Sequence, residues 1–106
     1  MDQNHPGNIF HDKGKLDNAI KAYTNSIKIN PQFVDALNNL GIAYKEIKKK
    51  NEAIECWNKV IALDKNNTKA YNNIGSILFD AEKYEKSINY FNKAINLDKK
   101  FYQAYF

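Results

Sequence analysis

The sequence predicts an all-α fold, a solenoid of helix-turn-helix repeats, from three observations. Gly41 and Gly75 are 34 residues apart, and the chain repeats around them: LNNLGIAYKEI at 37–47 aligns with YNNIGSILFDA at 71–81, AIECWNKVIALD at 53–64 aligns with SINYFNKAINLD at 87–98, and AIKAYTNSIKIN at 19–30 stands behind the second pair. A fixed period of this size marks a repeat architecture whose units each bury their apolar face on a neighbour. Within each period the apolar residues recur at three- and four-residue steps, as one face of a helix requires. Glycine and proline number only four and two in 106 residues, which disfavours a loop-rich or all-β fold. Arrays of this kind build extended concave grooves rather than closed pockets.

The elements follow in order. Residues 17–29 carry the pattern of the second helix of a pair, and Asn30-Pro31 ends it, because the residue before proline is pushed out of the α region. Leu37, Leu40, Gly41, Tyr44 and Ile47 form the apolar face of a first helix at about 34–47, and Ala53, Ile54, Trp57, Val60 and Ile61 form that of a second at about 51–63. The polar segment Lys48–Asn51 between them suits a short antiparallel connection. The next pair falls at about 68–81 and 85–97. Gly41 and Gly75 sit mid-helix, where glycine costs about 1 kcal/mol against alanine, so a neighbouring helix is expected to approach closely there. Ala19, Ala53 and Ser87 hold the matching small site on the second helices, and Tyr23, Trp57 and Phe91 a recurrent large ring. Small residues opposite large ones give dense interdigitation.

Composition narrows function. The apolar fraction of 43% supports a core, and 106 residues suit one domain. All sixteen basic residues are lysine, scattered among twelve acidic ones. The absence of arginine, whose planar fork reads bases and phosphates, weighs against a nucleic-acid partner. The run Lys48-Lys49-Lys50 falls at an inter-helix turn and reads as solvated. One cysteine, Cys56, allows no internal disulfide and fits a cytoplasmic or other reducing intracellular compartment. No apolar stretch reaches the length of a membrane span, and MDQNHPGN lacks a signal-peptide core. His5 and His11 have no metal-ligand spacing with any cysteine or carboxylate, there is no glycine-rich phosphate loop, and no nucleophile–base pair stands out. The expectation is a non-enzyme with neither cofactor nor metal.

The pattern resembles the tetratricopeptide repeat (TPR), a 34-residue helix-turn-helix unit. Its spaced signature reads here as Leu37, Leu40-Gly41, Tyr44, Ala53, Trp57, Val60 and Lys65, then as Tyr71, Ile74-Gly75, Leu78, Ser87, Phe91, Ala94 and Lys99. A first, truncated copy reads Gly7, Phe10, Ala19, Tyr23, Ser26 and Pro31. The family's proline is present only as Pro31; Lys65 and Lys99 replace it. The resemblance implies a single TPR domain of about two and a half to three repeats at 7–33, 34–67 and 68–101, with 102–106 starting a further helix, stacked as a right-handed superhelix with a concave groove. In this register the chain starts partway along a first helix and breaks off within another, as expected of a piece of a longer array.

In TPR proteins the first helices line the concave face. The resemblance therefore implies a peptide-binding groove formed by Asn8, Asp35, Asn38, Asn39, Ile42, Lys69, Asn72, Asn73, Ser76 and Phe79. Asn39 and Asn73 share one repeat position, and a side-chain amide both donates and accepts, so it can pair with an extended backbone without reading sequence. The column resembles the asparagine ladder in the TPR region of O-GlcNAc transferases. The carboxylate clamp of co-chaperone TPR domains overlays on Asn4, Asn8, Asn39, Lys69 and Asn73. Asn8, Asn39 and Lys69 agree with it, whereas Asn4 and Asn73 lack the expected long basic side chains.

The expected function is a non-catalytic protein–protein interaction module for an extended peptide or a partner protein. Two alternatives are a substrate-recognition segment of a larger enzyme, such as a glycosyltransferase, and a structural self-associating array. Phe101, Tyr102, Tyr105 and Phe106 offer an aromatic cluster for a homodimer or domain swap, since exposed apolar patches mark contact surfaces.

Overall fold

The computed structural model describes residues 13–105, with side chains from 14 to 99. Five α-helices follow one another: α1 Lys13–Ile29, α2 Val34–Glu46, α3 Lys50–Leu63, α4 Thr68–Asp80 and α5 Tyr84–Tyr105. Four of them start and stop within a residue or two of the expected limits or begin slightly earlier. No described helix is long and apolar enough to cross a membrane.

The backbone divides into two compact units, one running through Cys56 and the other from Trp57. The division falls inside α3 rather than at the repeat junctions after 33 and 67. In the first unit α1 packs on α2. Its buried apolar residues are Leu16, Ala36, Leu37, Leu40, Ala43, Ala53 and Cys56. In the second unit α4 packs on α5, over a core of Trp57, Val60, Ala70, Ile74, Ile77 and Ala94.

The paired glycine and ring expected from the repeat appear directly in the second unit. A Cβ built on Gly75 would lie 2.8 and 2.9 Å from Phe91 Cε1 and Cδ1. Only hydrogen in place of a side chain lets α5 approach this closely. The small site beside it is polar in one atom: Ser87 Oγ donates to the Gly75 carbonyl at 2.9 Å, in the buried interface between α4 and α5. A buried hydroxyl without a partner would cost about 1–3 kcal/mol, so this bond makes serine an acceptable substitute for the alanine that holds the site in α1 and α3.

Helix ends follow the side chains. At the end of α1 the Asn30 side-chain oxygen accepts from Gln32 N at 3.1 Å, and Pro31 prevents continuation. Before α4, Asp64 Oδ1 accepts from Asn66 N at 3.2 Å, and Asn67 caps the helix by accepting from Ala70 N at 3.0 Å. Asn67 also donates to Asp64 Oδ2 at 3.2 Å. Asn67→Ala is expected to cost about 1 kcal/mol, read as a lowered melting temperature, whereas Asn67→Asp, which keeps the accepting oxygen, should be close to neutral.

Both turns within the helix pairs share one geometry. Lys48 and Glu82 have φ of 69° and 62°. In the first turn Lys48 N donates to Lys45 O at 3.0 Å and Lys49 N to Tyr44 O at 2.8 Å; in the second Glu82 N donates to Phe79 O at 2.9 Å and Lys83 N to Leu78 O at 2.9 Å. This is a left-handed C-terminal cap that glycine usually fills, occupied twice, one period apart, by a charged residue that tolerates the strain.

One expectation needs correcting. The repeat register puts a turn at 98–101 and a new helix from 102, but α5 runs unbroken to Tyr105. The reason is local. The segment Asp98–Phe101 has neither the proline that breaks the chain at 31 nor the capping amide that Asn67 supplies to α4. Without a stop or a new cap, the helix continues.

Candidate peptide-binding surface

On α2 the exposed residues Asp35, Asn39 and Ile42 are four and three apart and lie on one side of the helix. Asn38, expected beside them, is buried at 6% exposure. At 100° per residue the buried positions of α2 run from Ala43 through Ala36, Leu40, Leu37 and Gly41 round to Asn38, an arc of roughly 220°. Only the remaining sector is open, and Asn38 falls at the covered edge. A core stripe read from Leu37, Leu40, Gly41 and Tyr44 alone was too narrow.

On α4 the buried set is smaller: Ala70, Ile74, Gly75 and Ile77. Lys69, Asn72 and Phe79 are exposed, and Asn73 and Ser76 are half-buried. The two asparagine pairs therefore differ between repeats. Asn38 is covered and its counterpart Asn72 open, while Asn39 is open and its counterpart Asn73 half-covered. Phe79, at 51% exposure, meets Tyr84 edge to face, with centroids 5.2 Å apart and ring planes at 73°. That contact orients an exposed ring at the C-terminal end of the α4 face. Asn8 lies outside the described residues, as does Phe106, and the side chains of Phe101, Tyr102 and Tyr105 are not among those described.

Two further features were not singled out from the sequence. Tyr71 and Tyr90 lie with ring centroids 6.3 Å apart and planes at 36°, and Lys93 Nζ stands 5.9 Å from the Tyr71 centroid. With Asn89 they line a shallow recess of ≈ 190 Å³. Tyr71 Oη is held by donating to the Lys65 carbonyl at 3.1 Å. The signal available was the tyrosine at 90, where the preceding repeat has Cys56. The second feature is Tyr44, whose phenol is pushed above its ordinary value by burial, with Cys56, Glu52 and Glu55 adding to the effect; it stays a neutral hydroxyl.

The chemistry available is that of contact: amides, the ammonium groups of Lys69 and Lys93, carboxylates and exposed rings. Cys56 is buried, and among the described residues no three His, Cys, Asp or Glu side chains gather as a metal site.

Helix pairs repeating every 34 residues, with matching left-handed turns and, in the second pair, Gly75 packed against the Phe91 ring, define a helical-repeat protein. The chain belongs to the tetratricopeptide repeat family. The TPR repeat profile matches residues 7–48, and the tetratricopeptide repeat profile matches 34–67 and 68–101. Among solved structures it is similar to MamA, at 27% identity and a TM-score of 0.81, over 84% of this chain and 52% of that one. It is similar also to the first TPR of Spaghetti (RPAP3) bound to HSP90 peptide SRMEEVD, at 30% identity and a TM-score of 0.76, over 88% of this chain and 74% of that one. The second TPR of the same protein, bound to the same peptide, matches at 28% identity and a TM-score of 0.73, over 86% and 84%. The chain spans about half the length of the MamA structures, 52% and 49%. A comparison with curated proteins finds no match.

Proposed function

We propose that this chain is a non-catalytic interaction module that binds an extended peptide through the open faces of its first-type helices, α2 and α4. The observation that carries the reading is the similarity to two TPR domains bound to a short peptide, across most of this chain and most of theirs. The exposed residues of α2 and α4 supply suitable groups. Asn39 and Asn72 offer donors and acceptors to a ligand backbone, Ile42 and Phe79 offer apolar contacts, and Lys69 offers a cation. Asp35 and Asp80 are also exposed on these helices and would oppose an acidic ligand.

The test is an array of seven- to twelve-residue peptides, SRMEEVD among them, each made with a free and an amidated C-terminus. Peptides captured by the chain should lose about ten-fold or more in affinity for the Asn39→Ala/Asn72→Ala variant, a loss of one to two ligand hydrogen bonds. They should bind Lys59→Ala, altered on the exposed face of α3, as they bind the parent. Capture that depends on the free carboxylate would assign a C-terminal tail as ligand, whereas capture indifferent to it would assign backbone pairing. Equal affinity for all three proteins, or no capture at all, contradicts the reading.

A further inference from the structure

Phe79 and Tyr84 are rings that the repeat does not call for. One period earlier the same two positions hold Lys45 and Lys50. Lys45 is half-buried and Lys50 exposed although a full helix pair follows them, so neither position is closed where the array continues. Phe79 and Tyr84, at 51% and 50% exposure, are an open pair in their own right. Their edge-to-face contact holds them together, and the ring that offers its edge keeps its faces uncovered by its partner.

The charge around these positions changes with them. At the first turn, residues 45–52 carry four lysines and two glutamates, a sum of +2. At the second, residues 79–86 carry Lys83 and Lys86 against Asp80, Glu82 and Glu85, a sum of −1 in a chain of +4. Asp80 is exposed beside Phe79 at the end of α4. Glu82 and Glu85 line a shallow recess of ≈ 510 Å³ together with Tyr84 and the two lysines. Near the start of α4 the sign is opposite: Lys69 is exposed there, with no acidic residue in the first turn, about 15 Å from Phe79 along the axis. A ligand lying along α4 thus meets a cation at one end, and rings with carboxylates at the other.

We propose that Phe79 and Tyr84, with Asp80, form a specificity site for a basic side chain of the bound peptide, arginine above lysine. The inference rests on the peptide-binding reading above and adds which residue the second repeat selects. The aliphatic stem of an arginine covers exposed ring surface, and its flat guanidinium stacks on an open ring face. The ring quadrupole attracts the cation, and the Asp80 carboxylate accepts its N–H groups. Glu82 and Glu85 add to the attraction, and Lys83 and Lys86 offset part of it. The first repeat, with Lys45 and Lys50 at the ring positions, repels the same side chain, so the basic residue of the ligand is directed to the second.

Binding of the full chain to positional libraries of eight-residue peptides with free C-termini tests this. Each library fixes one position in turn as arginine, citrulline, leucine or glutamate; citrulline keeps the shape of arginine without its charge. At one position the chain should prefer arginine about five-fold or more over the other three, the size of a partly desolvated cation–ring contact. Phe79→Lys/Tyr84→Lys installs the residues of the first repeat at two half-exposed positions, so it should keep the parent's circular dichroism. It should still capture peptides but lose the arginine preference, and Asp80→Asn should reduce that preference. Capture without an arginine preference overturns the proposal, as does a preference for leucine, equal binding of citrulline, or an arginine preference that survives the double lysine variant. Each of these leaves the peptide-binding reading standing. That reading fails separately, if the libraries bind Asn39→Ala/Asn72→Ala as they bind the parent, and no capture at all overturns both.

Discussion

Trp57→Ala is expected to lower the unfolding free energy by about 3–5 kcal/mol, the usual cost of emptying a fully buried aromatic site. Trp57 is the largest fully buried side chain of the described residues, and Ala53 and Val60, one turn to either side of it on α3, are likewise fully buried. The cavity left behind would have little freedom to collapse. Against a typical total of about 5–15 kcal/mol, the loss leaves the fold marginal at 37 °C. Phe79→Ala is the control: its ring is 51% exposed, and its removal should cost about 1 kcal/mol or less. Urea titration followed by circular dichroism measures both, since the chain's single tryptophan is the residue removed. A loss below about 1 kcal/mol for Trp57→Ala would mean that Trp57 is not the fully buried core residue described above.

Gly75→Ala should destabilise although alanine is the better helix former. The substitution gains about 1 kcal/mol of helix propensity. It also places a methyl group 2.8 Å from Phe91 Cε1, and such overpacking costs about 1–3 kcal/mol. The Ser87–Gly75 hydrogen bond at 2.9 Å pins α5 to α4 at this point, so the helices cannot separate to make room without losing it. A net loss of about 1–2 kcal/mol is expected. In a Phe91→Ala background the obstacle is gone, and the same substitution should become stabilising, by up to about 1 kcal/mol. That reversal of sign is the informative result. If Gly75→Ala is neutral or stabilising in the parent, the ring is not the constraint that keeps glycine there.

The sequence made much of this fold legible because its strongest signals are periodic. Gly75 with Phe91, and Ser87 as the small partner, followed from aligning one repeat on another, and their geometry agrees. The turns at Lys48 and Glu82 were legible as connections but not as left-handed caps, because neither residue is one that favours positive φ. The continuation of α5 to Tyr105 was missed because register within a repeat says nothing about a helix that lacks a stop. The candidate surface was only partly legible. Asp35, Asn39, Ile42, Lys69, Asn72 and Phe79 are exposed as expected, but Asn38 is buried, since a stripe read from the strongest apolar residues understates how far round α2 is covered. The Tyr71–Tyr90 recess was not singled out because its partners are 19 residues apart on two helices, and each alone reads as core.

The central claim is that α2 and α4 carry the ligand. Backbone amide shifts of the isotopically labelled chain, followed by NMR while a captured peptide is added, test it most directly. The account predicts shifts clustered at Asp35, Asn39 and Ile42 on α2 and at Lys69, Asn72 and Phe79 on α4, with α3 and residues 88–95 of α5 little changed. Shifts concentrated on α3 or α5, with α2 and α4 silent, would contradict it.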